Sequence, residues 1–325
     1  MVTRAEHNTI SVLVPAWNSK RRDELAACLG AIERQTLPAV EVIAVIDHNP
    51  DLLDWVRETF PQIKAVANAH ERGVVGARNT GVELAQGEIV VLTDDDTEAE
   101  PDWLAGLESC FADPAVVGVT GELLPSWSGA EPTWFPHEFY WVFGCSYAGL
   151  PSEVAPVRNP IAANMAVRRW ALQEIGGFRQ GVQPRQIRHR GAVVAGGHAL
   201  EDTELGIRIG RQWPQMKWLY QPNATVHHRV NEEQATLGYL LRRSYEEGAA
   251  KATLAQTVGS QDGLESERRH LLVTIPRGVL AGFRDLLRGR PSGLGRMTAI
   301  VLGIGAAAIG YAGASLAGLL SGRGK

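Results

Sequence analysis

Val90-Val91-Leu92-Thr93-Asp94-Asp95-Asp96 is the stretch whose reading decides the fold. Its apolar first half reads as a buried strand, and three carboxylates arrive at the strand's end. Strand ends are where open α/β sheets take their ligands. Carboxylates this close need a cation among them. Oxygen donors suit a hard divalent ion, Mg²⁺ or Mn²⁺, with a phosphate-bearing ligand as the ion's remaining partner.

Working outward, β-branched runs alternate with amphipathic stretches. Strands are expected at 10–14, 42–46, 63–66, 88–92, 116–120 and 162–167. Helices are expected at 22–34, 52–60, 73–85, 103–111 and 169–175, the first opening on Asp23 and Glu24. This alternation predicts an α/β domain: a mostly parallel sheet with helices on both faces. Later come a helix at 199–211, strands at 217–220 and 225–228, and a long helix at 236–254.

Two segments break the pattern. Residues 123–160 are rich in proline and carry Trp127, Trp134, Phe135, Phe139, Tyr140, Trp141, Phe143 and Tyr147. These aromatics either pack a subdomain or line an acceptor site. Residues 179–198 bear Arg179, Arg185, Arg188, His189 and Arg190 among glycines, a basic loop that either closes over a phosphate or is solvated.

The chain has 325 residues, 45% of them hydrophobic, enough for a substantial core. A net charge of −4 gives no basic surplus for nucleic acid. Cys28, Cys110 and Cys145 lie far apart without zinc spacing, which fits a reducing cytoplasm. The residues after Met1 are polar and lack a secretory signal's apolar run. The expected organisation is an α/β domain over 1–235, an amphipathic helical region over 236–296, and a membrane-spanning or membrane-associated helix over 297–320. That last stretch carries no charge from Met297 to Leu320, but it is rich in Gly and Ala, so a buried hairpin or an association helix also fits. Its Gly303–Gly310 run has no strand before it and is no dinucleotide loop. The arginines from Arg268 to Arg296 and the amphipathic stretch 275–287 point to a membrane surface.

Three polar groups follow expected strands: Pro15-Ala16-Trp17-Asn18, Asp47-His48-Asn49 and the three aspartates. In a parallel sheet these ends share one edge and make one crevice. Asp47 could accept from a base N–H, Trp17 could border that base, and Arg78 could reach base or phosphate. A turn carboxylate, a surface aromatic and a helix ion pair are the bland alternatives.

The chain resembles the family 2 glycosyltransferases, inverting enzymes of the GT-A fold that use nucleotide-sugar donors. The resemblance is carried by Ser11-Val12-Leu13-Val14-Pro15-Ala16-Trp17-Asn18, Val45-Ile46-Asp47, Gly76-Ala77-Arg78-Asn79-Thr80-Gly81, residues 87–96, Gly176-Gly177-Phe178 and Glu201-Asp202, in the family's order. It implies that Pro15, Trp17, Asn18, Asp47, Arg78, Asp94 and Asp95 hold the donor, with Asp47 on a uracil. It implies metal ligation by Asp96, Asp94 and His228, and catalysis by Asp202 as base beside Glu201. Either His227 or His228 faces the site, because adjacent strand residues point oppositely. The usual acidic pair after strand two is here Asp47-His48. The implied acceptor is a polyprenyl-linked or other glycan, met at the cytoplasmic membrane face. A nucleotidyltransferase would need a Gly-rich basic loop after strand one, which Pro15-Ala16-Trp17-Asn18 is not. A non-catalytic membrane scaffold would leave the aspartates without a role.

Overall fold

The computed structural model describes residues 7–179, 188–189, 192–193, 200–259 and 270–322. The chain divides into two compact units. The first comprises Met1–Leu124, Pro151–Arg179 and Leu205–His228; the second comprises Pro125–Leu150, Gln180–Glu204 and Arg229–Lys325.

The first unit is built on β1 (Ile10–Ala16), β2 (Glu41–Ile46), β3 (Lys64–Ala67), β4 (Ile89–Thr93), β5 (Thr97–Ala99), β6 (Val116–Trp127), β7 (Ala155–Val157) and β8 (Asn164–Arg168). Among the described residues, two short strands, β9 (Arg188–His189) and β10 (Ala192–Val193), pair with each other apart from the main sheet. The long β11 (Lys217–Val230) completes a nine-stranded sheet of order β3-β2-β1-β4-β8-β6-β11-β5, with β7 paired to β11. One half, β3-β2-β1-β4, is parallel. In the other half β8 runs antiparallel to β4 and β6, and β11 runs antiparallel to β5 and β7.

Helices α1 (Arg22–Glu33), α2 (Pro50–Thr59), α3 (Val74–Leu84), α4 (Trp103–Ser109), α5 (Arg169–Glu174) and α6 (Glu201–Gln212) cover this sheet on two faces. The period-2 rule explains the two layers. Val12, Val14, Ala44, Ile46 and Val91 point to one cluster with α1, α2 and α4. Leu13, Ile43, Val45, Val90 and Leu92 point to the other, with α3, α5 and α6. Helix α3 lies so close to β1 that a Cβ on Gly81 would stand 2.9 Å from Leu13.

Two strands outrun their sequence expectation. β6 continues past residue 120 to Trp127 because the buried Asn164 amide donates to both Glu122 O and Ala224 O, each at 2.9 Å. Gly121 leaves room there, since a Cβ would lie 2.2 Å from Ala224 O. Residues 217–220 and 225–228 belong to a single strand. Pro222, in the gap between the two expected strands, falls between the stretch paired with β7 and the stretch paired with β5, where a missing N–H costs neither ladder a bond.

In the second unit, Phe135, Phe139, Tyr140 and Phe143 are buried, so these aromatics do pack a core. Trp127 meets Phe143 edge-on at 5.2 Å, and Tyr239 stacks on Phe143 at 5.9 Å. Around them stand α7 (Leu237–Val258), α8 (Ile275–Leu287) and α9 (Ser292–Gly322). α9 starts before residue 297 because the charge of Arg296 is taken up inside the unit. Its Nη2 lies 2.9 and 3.1 Å from the two oxygens of buried Glu138. The segments 236–296 and 297–320, expected as separate regions, fall in this one unit together with residues 125–150. Apart from Arg179, β9 and β10, the expected basic loop at 179–198 lies outside the described residues.

Candidate active site

Strands β1, β2 and β4 end at one edge: Ala16 is level with Ile46, and Leu13 with Leu92. The strand order reverses direction between β1 and β4, the switch point at which such sheets bind ligands. The three predicted polar groups therefore do meet along one edge.

The turn from β4 to β5 is locked from within. Thr97 Oγ1 lies 2.8 Å from Thr93 Oγ1 and donates to Asp94 O at 2.7 Å. Residue pairing then places the histidine. Thr97 is opposite His228 on β11, which brings His228 Nε2 to 3.2 Å from Asp96 Oδ1. His227 faces the other way and meets Glu100 at 3.0 Å. One ligand atom each from Asp94, Asp96 and His228 can be chosen with all three within 4.8 Å of one another.

Asp95 does not join that group. Its carboxylate is buried and meets Arg21 Nη1 at 3.3 Å, while the same nitrogen donates to Asp96 Oδ2 at 2.8 Å. Burial, then the negative charge of Asp96, pushes Asp95 up to about 7 despite Arg21. Burial works the same way on Asp96, but the hydrogen bond and charge of His228, with Arg21, hold it below the ordinary carboxylate range. Asp96 is thus anionic at neutral pH.

Arg78 reaches Asp94 rather than open solvent. Its buried guanidinium lies 3.2 Å from Asp94 Oδ1 and 5.6 Å from the Phe178 ring centroid. The next residue explains that ring's position: the Asn79 amide donates to Phe178 O at 2.9 Å and accepts from Phe178 N at 2.8 Å. Gly177, at φ +67°, must lack a Cβ, which would lie 2.5 Å from Asn79 Oδ1.

At the end of β2, Asp47 is already engaged. Its Oδ1 accepts from Asn68 Nδ2 at 2.7 Å and faces His48 Nδ1 at 2.8 Å; its Oδ2 accepts from Gly73 N at 2.9 Å. Those bonds outweigh partial burial and hold its carboxyl below the ordinary range. Trp17 is 61% exposed, and Pro15 sits within β1, level with Val45. Asn18 accepts from Lys20 N and caps a short 3-10 turn. Asn49 binds the two strand ends together, donating to Trp17 O at 2.8 Å and capping α2 through Leu52 N.

Glu201 and Asp202 open α6 and fall in the second unit; Glu201 is buried and Asp202 half-buried. Asp202 Oδ1 accepts from Thr203 N at 2.6 Å. The second unit also contains a cleft of about 450 Å³ with Trp127, Trp134, Glu131 and Glu232 in its walls.

Sequence reasoning placed Asn49 in a strand-end polar group and Asn79 in a motif without giving either a role, and missed Arg21 and Asn68. Arg21 had a readable signal: three adjacent aspartates demand positive charge, and Lys20-Arg21 follow a strand ending at the same edge.

The family model described as glycosyl transferase family 2 matches residues 11–176, just over half the chain. The chain belongs to glycosyl transferase family 2. This glycosyltransferase is 29% identical over 249 residues to the glucosyl-dolichyl phosphate glucuronosyltransferase of Haloferax volcanii, covering 75% of this chain and 77% of that one. It is 23% identical to the succinoglycan biosynthesis protein ExoM of Rhizobium meliloti, over 72% of each chain. Among solved structures, the transferase resembles the mannosyltransferase PcManGT from Pyrobaculum calidifontis, in complex with GDP-Man and Mn²⁺. The TM-score is 0.59 at 18% identity, over 95% of this chain and 88% of that one. The likeness to GalNAc-T7 with UDP, GalNAc and Mn²⁺ has a TM-score of 0.52 at 15% identity, over 78% of this chain and 52% of that one. These likenesses establish the GT-A fold.

Proposed function

We propose that this glycosyltransferase moves a sugar, with inversion, from a nucleoside diphosphate sugar to a lipid-linked or glycan acceptor at the cytoplasmic face of a membrane. We read the donor as UDP-linked, with Mg²⁺ or Mn²⁺ as cofactor. The observation that carries the reading is the convergence of Asp94, Asp96 and His228 at the switch-point edge of the sheet. A dolichyl phosphate-linked acceptor in the Haloferax relative's name supports a lipid-linked one here.

The donor set fits a hard divalent ion: two carboxylates, one held anionic, and an imidazole. Asp94, Asp96 and His228 would hold it, leaving other positions to phosphate oxygens and water. When bound, such an ion offsets the charge that develops on the departing diphosphate. The chain's own residues do the remainder. Arg78 fixes one oxygen of Asp94, so that carboxylate keeps its aim. Asp47 sets the loop at residues 68–73, and its Oδ2 keeps a lone pair for a base N–H. Trp17, mostly exposed beside Asn18, is free to border that base. Asp202 takes the proton from the acceptor hydroxyl, its carboxylate held in place by the Thr203 N–H it accepts. The new C–O bond forms opposite the anomeric C–O bond that breaks, with the electron pair leaving on phosphate.

The test is nucleotide release from a panel of UDP- and GDP-sugars, with and without EDTA, and with polyprenyl phosphate or a membrane lipid extract as acceptor. Release from a UDP-sugar that depends on added Mg²⁺ or Mn²⁺ is expected. EDTA-insensitive turnover would sink the metal assignment, and preference for GDP-sugars the base assignment. Asp202→Asn should bind donor normally and lose transfer to a hydroxyl; unchanged transfer would leave Asp202 as a helix cap only.

A further inference from the structure

The uncharged stretch of α9 is long enough to cross a bilayer. The 24 residues from Met297 to Leu320 span about 36 Å, against a hydrocarbon core of about 30 Å. Its packing contradicts a crossing. A Cβ on Gly248 of α7 would lie 2.0 Å from Ala307 O, and one on Gly310 of α9 would lie 2.0 Å from Tyr245 O. Gly303 faces Leu240 and Gly318 faces Gln256, so the two helices run side by side in the same direction over most of the uncharged stretch.

α7 cannot follow α9 into hydrocarbon. It carries Arg242, Arg243, Glu246, Glu247 and Lys251 within one 22-residue helix. Arg243 and Glu246 pair at 3.1 Å in a buried position, and Lys251 meets Glu247 at 3.6 Å. Five ionisable groups at membrane depth are each costly. Crossing would therefore require α9 to leave α7, breaking a glycine-fitted interface.

The outer face of the same helices is apolar and uncovered within the unit. Leu280, Phe283 and Leu287 of α8, spaced by three and four, are exposed. So are Val301, Ile309 and Leu316 of α9, spaced by eight and seven. The two helices are fixed to each other, since a Cβ on Gly282 would stand 2.9 Å from Gly293 O. Exposed Arg277, Arg284 and Arg288 flank the stripe on α8.

We infer that α8 and α9 lie in the plane of an anionic bilayer surface, apolar stripe down, and that α9 does not cross the membrane. This rests on the reading of a membrane-borne acceptor and specifies how the protein meets it. A large apolar stripe flanked by arginines matches the boundary between acyl chains and anionic headgroups. The basic flank is what selects a lipid surface over a second apolar protein face.

The experiment uses the full chain with a C-terminal tag. In sealed vesicles from expressing cells, the tag should be digested from the same side as the catalytic unit, and alkaline carbonate should release the protein. With purified protein, phosphatidylcholine vesicles containing about one-third phosphatidylglycerol should bind, and pure phosphatidylcholine should bind weakly. Each basic residue near such a surface is worth about 1 kcal/mol, or about fivefold, so Arg284→Gln with Arg288→Gln should lower binding about twenty-five-fold. Phe283→Glu with Leu287→Glu should lower it on both vesicle types, with metal-dependent release of nucleotide from the donor unchanged. A carbonate-resistant protein with its tag protected on the far side would overturn the in-plane placement while leaving the membrane acceptor standing. Absent vesicle binding with intact donor turnover, or an apolar face satisfied by dimerisation, would overturn the docking surface itself.

Discussion

The turns that end β2 and β4 both present aspartate at the same sheet edge, yet they are satisfied in opposite ways. Asp47 is met by an amide, a ring nitrogen and a backbone N–H, most of its lone pairs committed to fixing the next loop. Asp94, Asp95 and Asp96 are met by Arg78, Arg21 and His228. The first turn is a structural clamp with little left to offer. The second is an acid cluster balanced by positive side chains, and a divalent ion can take the place of such partners. On the proposed reading, the reacting end of a nucleotide sugar sits at the second turn and its base at the first.

The largest effect should come from breaking the second turn. Asp96→Ala removes the carboxylate shared by His228 and Arg21, and metal-dependent turnover should fall about a thousandfold or more. Its circular dichroism should match the parent's, because the Thr93–Thr97 lock is untouched. Turnover within tenfold of the parent would move the metal away from Asp96.

A smaller effect tests whether that turn is strained without metal. Asp95 is pushed up to about 7 from an ordinary 3.8, by burial first and then by Asp96. Between those values the folded chain keeps a proton that the unfolded chain releases. Metal-free stability should therefore be highest below about pH 4 as far as this group is concerned, and fall as pH rises to about 7, by roughly 2–4 kcal/mol. Asp95→Asn should flatten that fall. Urea unfolding in EDTA at acidic and neutral pH measures the slope; equal slopes in parent and variant would mean that the Asp95 carboxylate is not forced to hold its proton.

Much of the fold was legible because buried parallel strands write themselves as β-branched runs, and α8 was read from its amphipathic spacing with the bounds the structure shows. The site was legible where the chemistry is local: Asp94 and Asp96 follow from one strand end, whereas the choice between His227 and His228 needed the pairing of β11 with β5. What was not legible depends on distant partners. Asn164 extends β6 by bonding across to two other carbonyls, and nothing near Pro125 in sequence announces it. Arg21 lies on a 3-10 turn that no hydrophobic period marks. The aspartates were read as needing a cation, but Arg21 and Arg78, which the chain itself places beside them, were not read as their partners.

The first turn should break more gently. Asp47→Asn swaps one oxygen for a donor, so either Gly73 N–H or the Asn68 amide is left facing a donor. The expected loss is about 1–3 kcal/mol of stability in urea unfolding. Nucleotide affinity by calorimetry should weaken with it. If affinity drops while stability holds, Asp47 is primarily a base contact and its clamp role is secondary.

The smallest effect, and the sharpest check on strand geometry, lies in the adjacent histidines of β11. His227 faces Glu100 with both side chains about half open to solvent, a contact worth no more than about 1 kcal/mol. His227→Ala should therefore leave turnover and Mn²⁺ affinity within about twofold of the parent. His228→Ala, one residue further along the strand, should weaken Mn²⁺ binding at least about ten- to a hundredfold, the cost of losing even a residue that only orients a metal ligand. Reading both by Mn²⁺ titration makes each the control for the other. Equal losses would mean that the strand rotates on metal binding, because a fixed β-strand cannot present neighbouring side chains to the same ion.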